Sequence, residues 1–268
     1  MAKQKLDRIR LFLLDMDGTF YLGKTLLPGS KDFVEQLKQD TARQFVFLTN
    51  NSSKSRENYL TKLKNMGFTF SPERVMTSGE ATAIYLNHHY KNPRVYLVGT
   101  PSLEEEFSSS GILLTEDHPD CAVLGFDTTL TYEKLWKLCD LVRAGVPYLA
   151  THPDFNCPIE NGYMPDIGGM IACVKACTGR EPDVVIGKPN RYIIESVSEK
   201  FQIPLEEIAM VGDRLYTDIA VGEKAGITSI LVLTGETKRE DLDDSPIQPD
   251  YIFENLGELA NVIHCTQG

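Results

Sequence analysis

The sequence predicts an α/β fold, a Rossmann-like parallel sheet with a second α/β domain inserted into it. Two observations carry the prediction. Short apolar, β-prone runs alternate with amphipathic helical segments along most of the 268 residues, the pattern of βαβ units. In the middle of the chain the texture changes. Residues 151–169 are rich in Pro, Gly, Asn and Asp with little periodicity, which marks a long functional loop between two βα regions. With the chain length, this predicts a discontinuous core at 1–80 and 181–268, and an inserted domain at 81–180.

The first strand is predicted at 9–14, an apolar run that ends on Asp15. A helix follows at 30–39, with Phe33, Val34 and Leu37 on one face. A second apolar run, 44–48, stops at the polar cluster Thr49-Asn50-Asn51-Ser52-Ser53. The next helix, 56–65, ends before Gly67, a residue suited to the C-cap. Later strands are predicted at 94–98, 121–125, 148–151, 184–186, 208–211 and 229–233.

Hydrophobic residues make up 42% of the chain and charged residues 24%, enough apolar material for a packed core rather than disorder. The formal net charge of −11 opposes nucleic acid as a partner. It also requires that a phosphorylated ligand be met by local positive charge from a metal, a lysine or backbone amides. No run approaches the ~18 apolar residues of a membrane span. The apolar run at 11–14 is too short for a secretory signal, so a cytoplasmic protein without membrane contact is expected. The six cysteines (Cys121, Cys139, Cys157, Cys173, Cys177 and Cys265) form no CxxC pair. Cys173 and Cys177 share a helical face but have no second ligand pair nearby, and reduced, packed thiols are expected.

Four polar clusters each follow a predicted strand, where open α/β sheets bind ligands. Asp15-Met16-Asp17-Gly18-Thr19 places two carboxylates at a strand end, with Gly18 to turn the chain. The Asp-x-Asp-Gly start resembles a calcium loop, but the later ligands of such a loop are missing and a strand precedes it instead of a helix. Thr49-Asn50-Asn51 offers a hydroxyl, amides and backbone N–H groups for phosphoryl oxygens, or an N-cap for the following helix. Lys188, in Gly187-Lys188-Pro189, reaches from a strand end or is a plain surface lysine. Asp213 and Asp218, in Gly212-Asp213-Arg214-Leu215-Tyr216-Thr217-Asp218, add acids there or merely cap a helix. Taken together, four clustered aspartates repel one another without a cation, and hard oxygen ligands suit Mg²⁺. With Lys188 as a second positive charge, this is equipment for phosphoryl transfer.

In this order the four motifs resemble the haloacid dehalogenase-like (HAD) hydrolase superfamily. Asp-Met-Asp-Gly-Thr-Phe-Tyr-Leu-Gly, Thr-Asn-Asn-Ser, Gly-Lys-Pro and Gly-Asp-Arg-Leu-Tyr-Thr-Asp-Ile are similar to its NagD-like, para-nitrophenylphosphatase-type branch. That branch carries a large α/β cap between the second and third motifs, where the insertion falls here. Phe20 stands where leucine or isoleucine is commoner, a conservative departure.

The resemblance implies roles. Asp15 is the nucleophile, and Asp17 the acid and then the base. Mg²⁺ is held by the Asp15 carboxylate, the Asp17 main-chain carbonyl and the Asp213 carboxylate. Thr49, Asn50 and Lys188 bind the phosphoryl group, Asp218 supports the metal and Lys188, and Arg214 touches a ligand water or only its own loop. The cap closes over the site, with Asp154, Asn156 and Asp166 the first residues to consider for reading the leaving group. A homodimer through the cap is expected by analogy.

Three other readings are weaker. A receiver-type phosphoaspartate module is about half this length, has no cap and needs no acid at Asp17. A catalytically dead phospho-ligand binder fits poorly with a full set of catalytic residues. A carbon–halogen hydrolase does not require an acid at Asp17. The substrate is a small phosphorylated metabolite, a nucleoside monophosphate or a sugar phosphate among those that fit.

Overall fold

Strand β1 (Leu11–Leu14) is buried along its whole length in the computed structural model, which describes residues 6–159 and 162–264. A short antiparallel hairpin, β2 (Tyr21–Leu22) and β3 (Thr25–Leu26), follows it. Helix α1 (Ser30–Gln39) has the bounds its periodicity predicts and buries Phe33, Val34 and Leu37. Then come β4 (Gln44–Thr49), α2 (Arg56–Asn65) and β5 (Val75–Thr77).

The chain continues through α3 (Ser78–His89), β6 (Arg94–Val98), α4 (Pro101–Ser109), β7 (Leu113–Leu114) and β8 (Cys121–Leu124). It goes on to α5 (Tyr132–Arg143), β9 (Tyr148–Ala150), β10 (Asn156–Ile159), β11 (Gly162–Pro165), α6 (Ile167–Thr178) and β12 (Val184–Val185). Thr77, Thr100 and Thr131 cap α3, α4 and α5 by accepting a first-turn N–H. The last elements are α7 (Tyr192–Phe201), β13 (Ile208–Gly212), α8 (Ala220–Ala225), β14 (Thr228–Val232), β15 (Tyr251–Phe253) and α9 (Leu256–His264).

The strands form two main sheets. The first has the order β15-β14-β13-β1-β4-β5, with β1 running parallel to both β13 and β4. From β1 the connections go out to β4 and β5 on one side, while β13, β14 and β15 build the other. The topological switch point is therefore beside β1, and ligands are expected beyond the carboxyl ends there. Leu14 pairs with Val211, so Asp15 and Gly212 emerge side by side. β1, β13 and β14 are buried throughout, which is why they read as continuous apolar runs.

The second sheet, β12-β9-β8-β6-β7, is parallel at every pairing. The two-residue strand period sends alternate side chains to opposite cores. Val95, Leu97, Cys121 and Val123 join one apolar cluster, and Tyr96, Val98, Ala122 and Leu124 join the other.

The chain divides into two compact units, Met1–Leu48, Leu60–Met76 and Lys188–Gly268 in one, Thr49–Tyr59 and Thr77–Gly187 in the other. These bounds differ from those expected from sequence at 77–80 and 181–187, and they group Thr49–Tyr59 with the second unit. The reason at 181–187 is pairing. Val184 and Val185 ladder with β9, so the strand preceding Lys188 belongs to the second sheet and not to the sheet of β1.

Residues 151–169 are also not the structureless loop that composition predicts. β10 and β11 pair antiparallel within them, and α6 begins at Ile167. Cys121 and Cys139 are buried thiols, Cys173 and Cys177 are exposed on α6, and Cys265 lies outside the described residues. No helix among the described residues is long and apolar enough to cross a membrane.

Candidate active site

Lys188 is 2% exposed, and its ammonium is held from three sides. Nζ donates to Asp15 Oδ1 at 2.6 Å, to Asp218 Oδ1 at 2.7 Å and to the Leu48 carbonyl at 3.3 Å. One cation thus ties the end of β1, the end of β4 and the turn after β13. Burial works against the charged lysine, but Asp15 and Asp218 outweigh it and hold its pKa above the ordinary value.

Asp213 follows β13 and is 1% exposed. Its Oδ1 accepts from the Thr19 hydroxyl at 3.2 Å and its Oδ2 from the Glu236 amide at 2.7 Å. Two glycines make room for this carboxylate. A Cβ on Gly18, whose φ is +93°, would lie 2.4 Å from Asp213 Oδ2, and one on Gly235 would lie 1.9 Å from the same oxygen. Asp218 sits in a single wide helical turn, Leu215–Ile219, and lies against Gly212, where a Cβ would come within 2.2 Å of the Asp218 Cβ. The Arg214 amide donates to Asp218 Oδ2 at 3.2 Å, while the Arg214 guanidinium pairs with Glu236 at 3.0 Å.

Asp15, Asp213 and Asp218 each offer an oxygen within 4.8 Å of the others, the one such acidic trio among the described residues. Their crowding is visible in protonation. Burial pushes Asp15 up to about 8, with Lys188 opposing and Asp218 and Asp213 adding to the rise. Burial and Asp218 push Asp213 up to about 6, against the Glu236 amide, Arg214 and Thr19. Both shifts are what a cation at this position reverses.

Asp17 is half-exposed, and Lys62 Nζ approaches its Oδ1 at 3.6 Å. Thr49, Asn50 and Asn51 form a closed turn beyond β4. The Thr49 hydroxyl accepts the Asn51 amide at 3.2 Å, and Asn51 Oδ1 accepts the Ser53 amide and hydroxyl at 2.9 and 2.8 Å. The Asn50 amide group donates to both oxygens of Asp154, at 3.2 and 3.1 Å. Of the other loop residues, Asn156 is exposed, but Asp166 is 3% exposed and caps α6, a position that does not suit reading a leaving group.

The sequence thus identified Asp15, Lys188, Asp213 and Asp218, which the fold brings into contact or near contact. It did not pick out Thr19, Gly235, Glu236 or Lys62. Thr234-Gly235-Glu236 stands just past β14, the same strand-end signal that marked the other motifs. Lys62 had no such signal, since a lysine on an amphipathic helix reads as solvated surface.

Comparison with known proteins bears on this arrangement. A family model described as haloacid dehalogenase-like hydrolase matches residues 12–113, and one described as HAD-hydrolase-like matches 185–259. The acid sugar phosphatase of Staphylococcus aureus (strain MRSA252) is 35% identical over 254 residues, 94% of this chain and 97% of that protein. The 4-nitrophenylphosphatase of Thermotoga maritima matches with a TM-score of 0.92 and 53% identity, over 97% of this chain and 99% of that one. The glycerol phosphate phosphatase of Mycobacterium tuberculosis in complex with magnesium matches with a TM-score of 0.85 and 32% identity, over 97% of this chain and 78% of that one. The carboxylate cluster at the switch point and these likenesses over nearly the whole chain lead to one conclusion: the chain belongs to the haloacid dehalogenase-like hydrolase superfamily, in its NagD-like, para-nitrophenylphosphatase-type branch.

Proposed function

We propose that the protein is a Mg²⁺-dependent phosphomonoesterase that works through a phosphoaspartate on Asp15. The observation that carries this reading is the Asp15 carboxylate at the sheet switch point, 2.6 Å from a buried lysine and within 4.8 Å of oxygens of Asp213 and Asp218. Three crowded carboxylates, with Asp15 and Asp213 raised in proton affinity, fit a hard divalent cation. Asp15 and Asp213, with the Asp17 main-chain carbonyl, would hold it. Bound there, Mg²⁺ neutralises charge on the oxygens of the transferring phosphoryl group.

The chain's own residues do the rest. An Asp15 oxygen attacks phosphorus, and the ester oxygen leaves with the proton of Asp17. Asp17, now a carboxylate, takes a proton from the water that attacks the same phosphorus. The P–O bond to Asp15 breaks, and phosphate leaves with the Asp15 carboxylate restored. Lys188, fixed by Asp218, Thr49 and Asn50 bind the phosphoryl oxygens, and Asn51 keeps the turn closed.

The substrate is a small phosphomonoester, a sugar phosphate or a nucleoside monophosphate, with para-nitrophenyl phosphate as a surrogate. The names of the S. aureus and T. maritima relatives support this class. A cytoplasmic homodimer paired through the second unit completes the reading. The test is phosphate release from para-nitrophenyl phosphate and a panel of sugar phosphates and nucleoside monophosphates, with and without Mg²⁺. Release that is absent, or indifferent to Mg²⁺ and chelator, sinks the proposal.

A further inference from the structure

His152 is completely buried, yet neither ring nitrogen makes a hydrogen bond. Buried polar groups are nearly always satisfied, so such a group calls for an explanation. Each nitrogen faces one carboxylate at 3.5 Å, Nδ1 toward Asp154 Oδ2 and Nε2 toward Asp166 Oδ1. Both acids are anchored elsewhere. Asp166 caps α6 by accepting the Ile167 amide at 2.6 Å, and Asp154 holds the Asn50 amide group through both oxygens. The imidazole therefore stands between the start of α6 and the residue that grips Asn50.

A second contact points the same way. A Cβ on Gly187 would lie 2.6 Å from the His152 Cβ, 2.7 Å from Asn50 Oδ1 and 2.8 Å from the Thr151 carbonyl. Gly187 also donates its amide to that carbonyl at 2.8 Å. The backbone entering Lys188 thus passes closely between His152 and Asn50. The turn carrying Asn50 is itself bolted to the strand beside His152, because the Ser52 hydroxyl meets the Thr151 hydroxyl at 2.9 Å.

We propose that His152 is a positioning residue for phosphoryl binding: through Asp154 it sets the Asn50 side chain. This rests on the assignment of Asn50 to the phosphoryl group made above. An apolar residue of similar size would fill the same space without burying two polar nitrogens, but it would remove the ring nitrogen that faces Asp154 Oδ2 at 3.5 Å.

A double-mutant cycle with para-nitrophenyl phosphate tests it, using His152→Leu, Asn50→Ala and the pair. Each single variant is expected to lose about tenfold or more in kcat/KM, since small misplacement of a binding group carries losses of that size. The pair is expected to be no worse than Asn50→Ala alone, because His152 acts through Asn50. Losses that multiply overturn the proposal while leaving the phosphatase reading intact. An Asn50→Ala variant of full activity overturns it too, and then the assignment of Asn50 falls with it. His152→Asn, which keeps a donor toward Asp154 and none toward Asp166, is the partner variant should leucine disturb folding. It is expected to retain most of the activity, and a loss as deep as that of Asn50→Ala counts against the proposal.

Discussion

Lys188 Nζ lies 2.6 Å from Asp15 Oδ1, although 173 residues separate the two. The same ammonium reaches Asp218 Oδ1 at 2.7 Å, and both Lys188 and Asp218 are buried. Removing the lysine leaves two crowded acids without their cation. Lys188→Met is therefore expected to destabilise the fold by about 3 kcal/mol, the scale for breaking a buried ion pair from one side. Urea unfolding measures it, and an unchanged midpoint refutes the coupling.

Asp15→Asn is expected to abolish turnover of para-nitrophenyl phosphate, since an amide cannot form the acyl phosphate. Asp17→Asn should lower kcat by about 10²- to 10⁴-fold, the usual share of general acid–base catalysis. Steady-state kinetics decide both, and an Asp17→Asn enzyme of normal kcat would mean that another group supplies the proton.

Gly235→Ala places a methyl where Asp213 Oδ2 now sits, 1.9 Å from the added carbon. The carboxylate must move, and Mg²⁺ affinity is expected to fall about 10- to 100-fold, as when a supporting contact of a metal ligand is lost. Titration calorimetry with Mg²⁺ checks this, with Gly226→Ala as the control for a backbone effect alone. Gly226 has a positive φ, which Gly235 does not, and nothing lies within 4 Å of an added Cβ there, so its variant reports backbone strain without moving a carboxylate.

Protonation gives a further expectation. In the metal-free protein Asp213 ionises near 6 and Asp15 near 8, both above the 3.8 of an unperturbed carboxyl. Between 3.8 and those values the folded state binds more protons than the unfolded one. Stability from these groups is thus complete at low pH and lost as pH rises through the folded values. Mg²⁺ needs the ionised carboxylates, so its binding should tighten over the same range. Melting curves should show the metal-free protein losing stability from about pH 4 to about pH 8, with the stabilisation by saturating Mg²⁺ growing in step. A stabilisation by Mg²⁺ that is constant over this range contradicts it.

Much of the fold was legible because its signals are local. The helix at Ser30–Gln39 follows from a 3.6-residue period, and the buried run before Asp15 from a parallel strand covered on both faces. The hairpin of β10 and β11 carried a signal that composition obscured. Gly162, which opens β11 opposite Ile159, has a φ of +131°, a backbone conformation that favours glycine. The sheet membership of Val184 and Val185 carried none, because two valines pair equally well with either sheet until their neighbour is known.

The sequence by itself determined the chemistry available: which residues carry carboxylates, hydroxyls and an ammonium, and that each group follows an apolar run. Residue type and short-range periodicity are written in consecutive letters, and so are strand ends. Only the tertiary structure decided which groups meet. That Lys188 spends its charge on Asp15 and Asp218, that Asp213 rests against Gly18 and Gly235, and that Asp154 turns to Asn50 and His152 all depend on contacts between distant segments. Such contacts are set by sheet order and close packing, which no local pattern encodes.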